Sequence, residues 1–316
     1  MARTKILIDC DPGHDDAVAI LYAARHLNLL GLTTVHGNNT LEHVTHNALS
    51  ILALGGIDVP VAMGCATPLA SPMHPIAEAH GKTGLDGAAL PAPGAQPIAQ
   101  HAVDFIIETA RAHQGELVLA AIGPCTNVAM ALKKEPRLAH WLREITVMGG
   151  STTLGNIRAV AEFNIWCDPE AAAVVFESGA AIRMVGYNVT IATGTTEADI
   201  ARLRTGGRVG TTVAGLLDFY LGRGRAAIGL QLAPMHDVCA IVPYVDESLL
   251  TYRHVHVAVE TQGTHTRGMT VCDLRTLTEE GRLTRAGRPP NAQVAIASDA
   301  PRLIAGVVDT LLGYGP

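Results

Sequence analysis

No CxxC pair and no disulfide-like spacing occurs among the six cysteines, Cys10, Cys65, Cys125, Cys167, Cys239 and Cys272, which lie scattered along the chain. That excludes a disulfide scaffold and leaves small buried hydrophobes in a reducing compartment. Blocks of Lys or Arg are absent as well. With 23 basic against 29 acidic residues the formal net charge is -6, which offers no electrostatic footprint for nucleic acid. Arg202, Arg204 and Arg208 make one mildly basic stretch, which a solvated helix face explains. No apolar run reaches the roughly 18 to 20 residues of a membrane span, although mean hydropathy is +0.24. The chain start runs straight into a strand-like segment, leaving no room for a signal peptide. These absences direct the expectation to a soluble cytoplasmic protein with a small-molecule partner, neither nucleic acid nor membrane. Without a composition shift or an internal repeat, one domain across residues 1–316 is expected.

What is present is an alternation of short apolar runs with helix-like segments. That is the pattern of βα units whose parallel strands are buried on both faces. Strands are expected at 5–9, 32–36, 117–122, 144–148 and 182–185, and helices at 41–54, 98–113, 126–133, 169–178 and 212–220. Residues 71–97, rich in Pro, Gly and Ala, read as a long ordered loop. An edge strand at 252–260, short strands at 269–274 and 293–297, and a last helix at 301–312 capped by Asp299 complete the reading. The fold class is therefore α/β, with a mostly parallel, Rossmann-like central sheet flanked by helices. Each of the first five strands ends in polar or glycine-containing sequence, where open α/β sheets bind ligands.

The first strand ends in the densest chemistry of the chain, "DCDPGHDDA". Asp9 and Asp11 project to one side of a strand by its period of two. Pro12-Gly13 turns the chain, and Asp15 and Asp16 open a helix whose N-terminus favours negative charge. Four acids converging on one point are costly without a cation or a shared proton. Oxygen donors select a hard cation, Ca²⁺ or Mg²⁺. Ca²⁺ needs about six to eight oxygens, so further ligands must come from elsewhere. Asp237 in "APMHDVCA" and the Ile122 carbonyl at a strand end are the candidates.

The N-terminal stretch "ILIDCDPGHDDAVAI" resembles the signature of the inosine-uridine preferring nucleoside hydrolase family. The likeness continues in order through "GNNTLEHVTHNA", "HGKTGLDG", "GPCTNVAMAL", "VMGGS", "GNIRAVAEFNIWCDPEAA" and "APMHDVCAI". The resemblance implies a tightly bound Ca²⁺ and hydrolysis of the N-glycosidic bond of ribonucleosides, of the inosine, uridine or pyrimidine type, to ribose and free base. It assigns Asp11, Asp16, Asp237 and the Ile122 carbonyl to the metal, Asp11 also accepting the proton of the attacking water. Asp15 and Asn164 would grip ribose hydroxyls, Asn156 and Glu162 the 5'-hydroxyl, and Asn38 would stand near sugar and metal. Met148, Phe163 and His80 would line the substrate pocket, Asp9 would orient the site from behind, and His236 would protonate the leaving base. The family also implies a homo-oligomer, tetramer or dimer.

Two features depart from the family pattern. The stretch "LGRGRAAIGLQLAP" lacks the tyrosines that several members carry over the base, and Trp141 and Trp166 read as packing residues outside the base pocket. A DxD at the end of a first strand also marks haloacid-dehalogenase-like Mg²⁺ phosphatases, and a relative acting on another riboside, such as nicotinamide riboside, fits the same residues.

Overall fold

The computed structural model describes residues 3–72 and 77–315. Among them the chain forms twelve strands: β1 (Lys5–Cys10), β2 (Asn28–Thr34), β3 (Val61–Met63), β4 (Leu117–Ala121), β5 (Glu144–Met148), β6 (Ile182–Val185), β7 (Gly194–Thr195), β8 (Ala233–Pro234), β9 (Leu250–Val255), β10 (Val257–Val259), β11 (Thr270–Cys272) and β12 (Ala292–Ser298). Eight of them make the central sheet, in the order β3-β2-β1-β4-β5-β6-β12-β9. All neighbours in it are parallel except β12 and β9. The remaining four pair as two short antiparallel ribbons.

The central strands read as unbroken apolar runs because both faces are covered. Ile6, Ile8 and Cys10 of β1 point into one core layer with the helices His14–His26, Arg208–Ile228 and Ala300–Leu312, while Leu7 points into the opposite layer with Ala102–Ala112, Thr126–Lys134 and Pro169–Phe176. Fully burying such Leu and Ile side chains stabilises the fold by about 1.5 to 3 kcal/mol each.

Several expected boundaries move for physical reasons. The second strand begins at Asn28, upstream of the expected 32, because the register bulges between Ile6 and Leu7 and passes through Gly31, whose missing Cβ admits the Phe105 ring. The helix expected from 98 starts at Ala102: Ile98 instead donates its N–H to the Val61 carbonyl at 2.8 Å, and the His101 side chain caps the helix. The helix expected over 212–220 runs from Arg208 to Ile228 and stops at left-handed Gly229. The 252–260 segment splits, β9 closing the sheet edge and β10 pairing with β11. Within 71–97 lies one helical turn, Ala77–His80, and the part of that loop at 73–76 is outside the described residues. The cysteines are free thiols, Trp141 is flanked by the guanidinium groups of Arg111 and Arg137, and Arg202 and Arg204 pair with Asp309 and Asp218. No helix is long and apolar enough to cross a membrane among the described residues.

Candidate active site at the centre of the sheet

The strand order reverses direction at the β1/β4 boundary, the switch point at which open α/β sheets leave a crevice beyond their carboxyl ends. Here the crevice is a cavity of about 200 Å³. Every site residue expected from the sequence lines it, except Asp9 and Asp16. The ends of β1, β4 and β5 supply Asp11, Ile122 and Met148, and the loops and helices that follow supply the rest.

Asp9, at the back of the site, accepts from Thr33 Oγ1 at 2.5 Å and Asn127 Nδ2 at 2.8 Å, both on its Oδ1. Its Oδ2 is buried without a partner, and burial pushes its pKa up to about 7 against those two bonds. Asn127, which sequence reasoning missed, also accepts from Cys65 N and donates to the Thr34 carbonyl, tying three strand ends together. Asp11 Oδ2 accepts from Asn38 N at 2.7 Å, and Asn38 Nδ2 returns a bond to the Asp11 carbonyl at 3.1 Å. The Gly37 backbone lies so close to this carboxylate that a Cβ would overlap it, so the residue before Asn38 must be glycine.

The tightest grouping is Asp15, Asp16 and Asp237, which offer oxygens all within 4.8 Å of one another, and all three are buried. Asp11 stands beside this triad, drawn towards the Asn38 N–H, whereas the resemblance places it among the ligands and gives Asp15 to the sugar. Asp16 Oδ2 accepts from Gly13 N at 2.8 Å at the helix start, while Asp15 Oδ1 and Asp16 Oδ1 are buried without partners among the described residues. Burial raises the pKa of Asp11, Asp15, Asp16 and Asp237, and their mutual repulsion lifts Asp11, Asp15 and Asp237 further. Buried oxygens that no protein donor satisfies are what a cation would fill. An all-carboxylate and carbonyl donor set fits Ca²⁺ or Mg²⁺ and not a thiophilic metal.

Asn164 Nδ2 donates to the Ile122 carbonyl at 2.8 Å and the Met148 carbonyl at 3.1 Å, binding the ends of β4 and β5. Glu162 caps the short helix Phe163–Cys167: its Oε2 accepts from Asn164 N and Ile165 N, and from Gly150 N at 2.9 Å. Burial holds the Glu162 carboxyl at a pKa of about 7 against those bonds. Asn156 Oδ1 accepts from Phe163 N at 2.9 Å, leaving its amide group at the exposed rim. Asn156, Glu162 and Asn164 thus line the cavity with side-chain oxygens and amides.

Rings line the cavity as well. His236 Nδ1 lies 2.7 Å from Thr190 Oγ1, its ring faces Tyr187, and burial lowers its pKa to about 4. His80 is buried and lies between Gly13 and Tyr220. Tyr220, at a cavity wall, and His14, behind it, were not anticipated. Tyr220 is the last ring before the tyrosine-free stretch, and His14 is overshadowed in sequence by its acidic neighbours. A second cavity of about 480 Å³ adjoins the first and shares Ala79, Asn156, Tyr220 and His236 with it. Its far side is the end of the helix Arg208–Ile228, where the tyrosines are missing. Trp141 and Trp166 line neither cavity.

Known proteins share both the sequence and the fold. The pyrimidine-specific ribonucleoside hydrolase RihA of Shewanella sp. (strain MR-7) is 41% identical over 316 residues, covering 98% of this chain and 97% of that protein. The pyrimidine-specific ribonucleoside hydrolase RihB of Escherichia coli (strain K12) is 38% identical, covering 99% of each. The solved structure of a purine-preferring ribonucleoside hydrolase from Gardnerella vaginalis superposes with a TM-score of 0.90 at 32% identity, covering 98% of both chains. The family model described as inosine-uridine preferring nucleoside hydrolase matches residues 6–305. The chain belongs to the inosine-uridine preferring nucleoside hydrolase family and is by class a ribonucleoside-hydrolysing N-glycosidase.

Proposed function

We propose that this enzyme hydrolyses ribonucleosides to ribose and free base with a preference for pyrimidines, and that Ca²⁺ is the ion its acidic cluster holds. The observation that carries the reading is one cavity lined by Asp11, Asp15 and Asp237 together with His236 and His80, with partnerless buried oxygens on Asp15 and on its neighbour Asp16. Asp16, Asp237, Asp11 or Asp15, and the Ile122 carbonyl would hold the cation, whose charge favours ionisation of an attacking water and engagement of sugar hydroxyls. Asp11, its Oδ2 fixed by Asn38 N, accepts the proton of that water. Asp15, Asn164, Asn156 and Glu162 grip the ribose, and their negative charge and dipoles favour the sugar as it flattens and gains positive charge. The pyrimidine preference rests on the relatives near 40% identity, which carry that specificity in their names. The expectations of a single domain, a homo-oligomer and a cytoplasmic location form part of the same proposal.

At the leaving group, burial keeps His236 neutral near pH 7. The Thr190 hydroxyl lies 2.7 Å from Nδ1 and orients the ring; the neutral imidazole can only hydrogen-bond the departing base, so protonating that base requires the His236 imidazolium, which gives up its proton and returns to the neutral ring. Replacing His236 with Ala is expected to reduce uridine turnover about 10²-fold or more, and to reduce hydrolysis of p-nitrophenyl riboside far less, because that leaving group needs no proton. Equal losses on the two substrates remove His236 from the acid role.

A reducing-sugar assay on inosine, adenosine, uridine and cytidine, each with and without prior metal stripping, tests the whole proposal. Release of ribose from uridine and cytidine ahead of the purines, restored by Ca²⁺ after stripping, is the expected result. Purine release ahead of pyrimidine release overturns the base preference, and no release from any of the four overturns the catalytic assignments.

A further inference from the structure

His14 sits in the acidic motif but points away from the carboxylates. Its Nε2 lies 2.8 Å from the Asp86 carbonyl, and its Nδ1 lies 2.9 Å from Nδ1 of His80. The loop that brings Asp86 there is built for the purpose. The Asp86 carboxylate accepts from Lys82 N, Thr83 N and Thr83 Oγ1, which closes the turn after His80 and fixes the carbonyl. The two imidazoles are also held by stacking: Tyr220 lies 5.3 Å from His14 at 3° and 5.1 Å from His80 at 18°, and Phe219 lies 5.5 Å from His14. Beside the same Nδ1 of His80, a Cβ on residue 13 would come within 2.6 Å, so Gly13 makes room for the ring.

The proton inventory of this pair has a directional outcome. A carbonyl can only accept, so Nε2 of His14 carries the proton of that ring. As a neutral imidazole enclosed by the His80, Phe219 and Tyr220 rings, it then has a bare Nδ1. A 2.9 Å contact between two ring nitrogens needs one hydrogen between them, and beside a neutral His14 that hydrogen comes from Nδ1 of His80. The remaining nitrogen of His80, Nε2, is left as an acceptor.

We infer that His14 is a positioning residue that fixes His80 in its Nδ1–H tautomer, so that the wall of the base pocket presents a hydrogen-bond acceptor and selects bases with a donor on their edge. The inference rests on the proposed hydrolase reading and deepens it. Uracil offers its N3–H and cytosine its exocyclic amine to such an acceptor, and a base with a methyl group in place of that hydrogen leaves it unpaired. The competing arrangement has the His14 backbone N–H, 3.2 Å from His80 Nδ1, as the donor, and it would place the His80 proton on Nε2 with the opposite preference.

The test uses enzyme labelled with ¹⁵N-histidine, with the His80 signals assigned by their loss in His80→Gln. The wild type is expected to show a protonated Nδ1 and an unprotonated Nε2 at His80. His14→Phe, which keeps the ring stack without the acceptor, loses that preference, and His14→Asn, which returns an oxygen near the Nδ1 position, restores it. In kinetics, wild-type kcat/KM for uridine over N3-methyluridine is expected to favour uridine by about tenfold or more, as for a buried acceptor left unpaired. In His14→Phe the ratio contracts to about threefold or less, mostly through the uridine KM, with partial recovery in His14→Asn. An Nε2–H tautomer in the wild type, or a ratio unchanged in His14→Phe, overturns the inference. Should His14→Phe fail to fold, the wild-type tautomer still decides. Absence of ribose release from the wild type would count against the hydrolase reading, whereas an Nε2–H tautomer with ribose release intact would count against His14 alone.

Discussion

An Asp11→Asn enzyme keeps its fold and loses ribose release by about 10³-fold, the scale of removing a general base. The fold survives because the amide oxygen of asparagine still accepts from Asn38 N, the contact that orients the side chain. Stability in the absence of metal does not fall either. The native carboxyl is buried and raised in pKa first by that burial and then by Asp16, so replacing it with a neutral isostere relieves a cluster of like charges. The measurements are kcat/KM on uridine and a thermal melt of both proteins. A fold-intact variant with near-normal turnover removes Asp11 from the base role, and one that melts well below the metal-free wild type contradicts the electrostatic account.

Removing divalent cations abolishes turnover and lowers the melting temperature, and the loss grows as pH rises. The sign follows from the carboxyl groups. Unfolded Asp and Glu titrate near 3.9 and 4.3, while burial holds Asp9 and Glu162 up at about 7 and raises Asp11, Asp15, Asp16 and Asp237 as well. Between those limits the metal-free native state holds protons that the unfolded chain has released. Its stability is therefore full below about pH 4 on this account and falls by about 1.4 kcal/mol per pH unit for each such carboxyl until its folded pKa is passed. A bound cation takes the place of those protons, so its affinity increases with pH, and at 100 times Kd it contributes about 2.7 kcal/mol. Melts of stripped and Ca²⁺-loaded enzyme at pH 5, 6, 7 and 8 should diverge steadily. Identical curves and unchanged turnover after verified metal removal would sink the cation assignment.

The sheet was legible in the sequence where strands are buried on both faces, since an apolar run such as Ile6-Leu7-Ile8 has no other economical use. It was less so where a strand starts with Asn28 and passes through Gly31, or where the Arg208–Ile228 helix continues through Gly222 and Gly224. Propensity argues against both stretches, and tertiary packing overrides it. Of the site, the residues carried by motifs, apart from Asp9 and Asp16, line one cavity. What the family resemblance left out acts at one remove: Asn127 and Thr33 hold Asp9, Thr190 holds His236, and His14 holds His80. Such partners bear no fixed spacing to the residue they orient. His14 alone left a trace, a ring placed among four aspartates where a small or apolar residue would have met the turn equally well.

The position of the cluster between β1 and β4 also has a consequence for how the molecule comes into being. Those strands are hydrogen-bonded neighbours, Asp9 against Ala121, yet more than a hundred residues separate them along the chain, and Asp237 arrives from more than two hundred positions beyond Asp11. Contacts of that reach form late, because the entropy of closing so long a loop is spent before any of them contributes. A partly folded chain, or one shortened before Asp237, has the motif but no cage. Occupancy of the cage therefore reports completion of the whole sheet, and a cation that stabilises it acts on the last step of assembly and not on the local turn that carries most of its ligands.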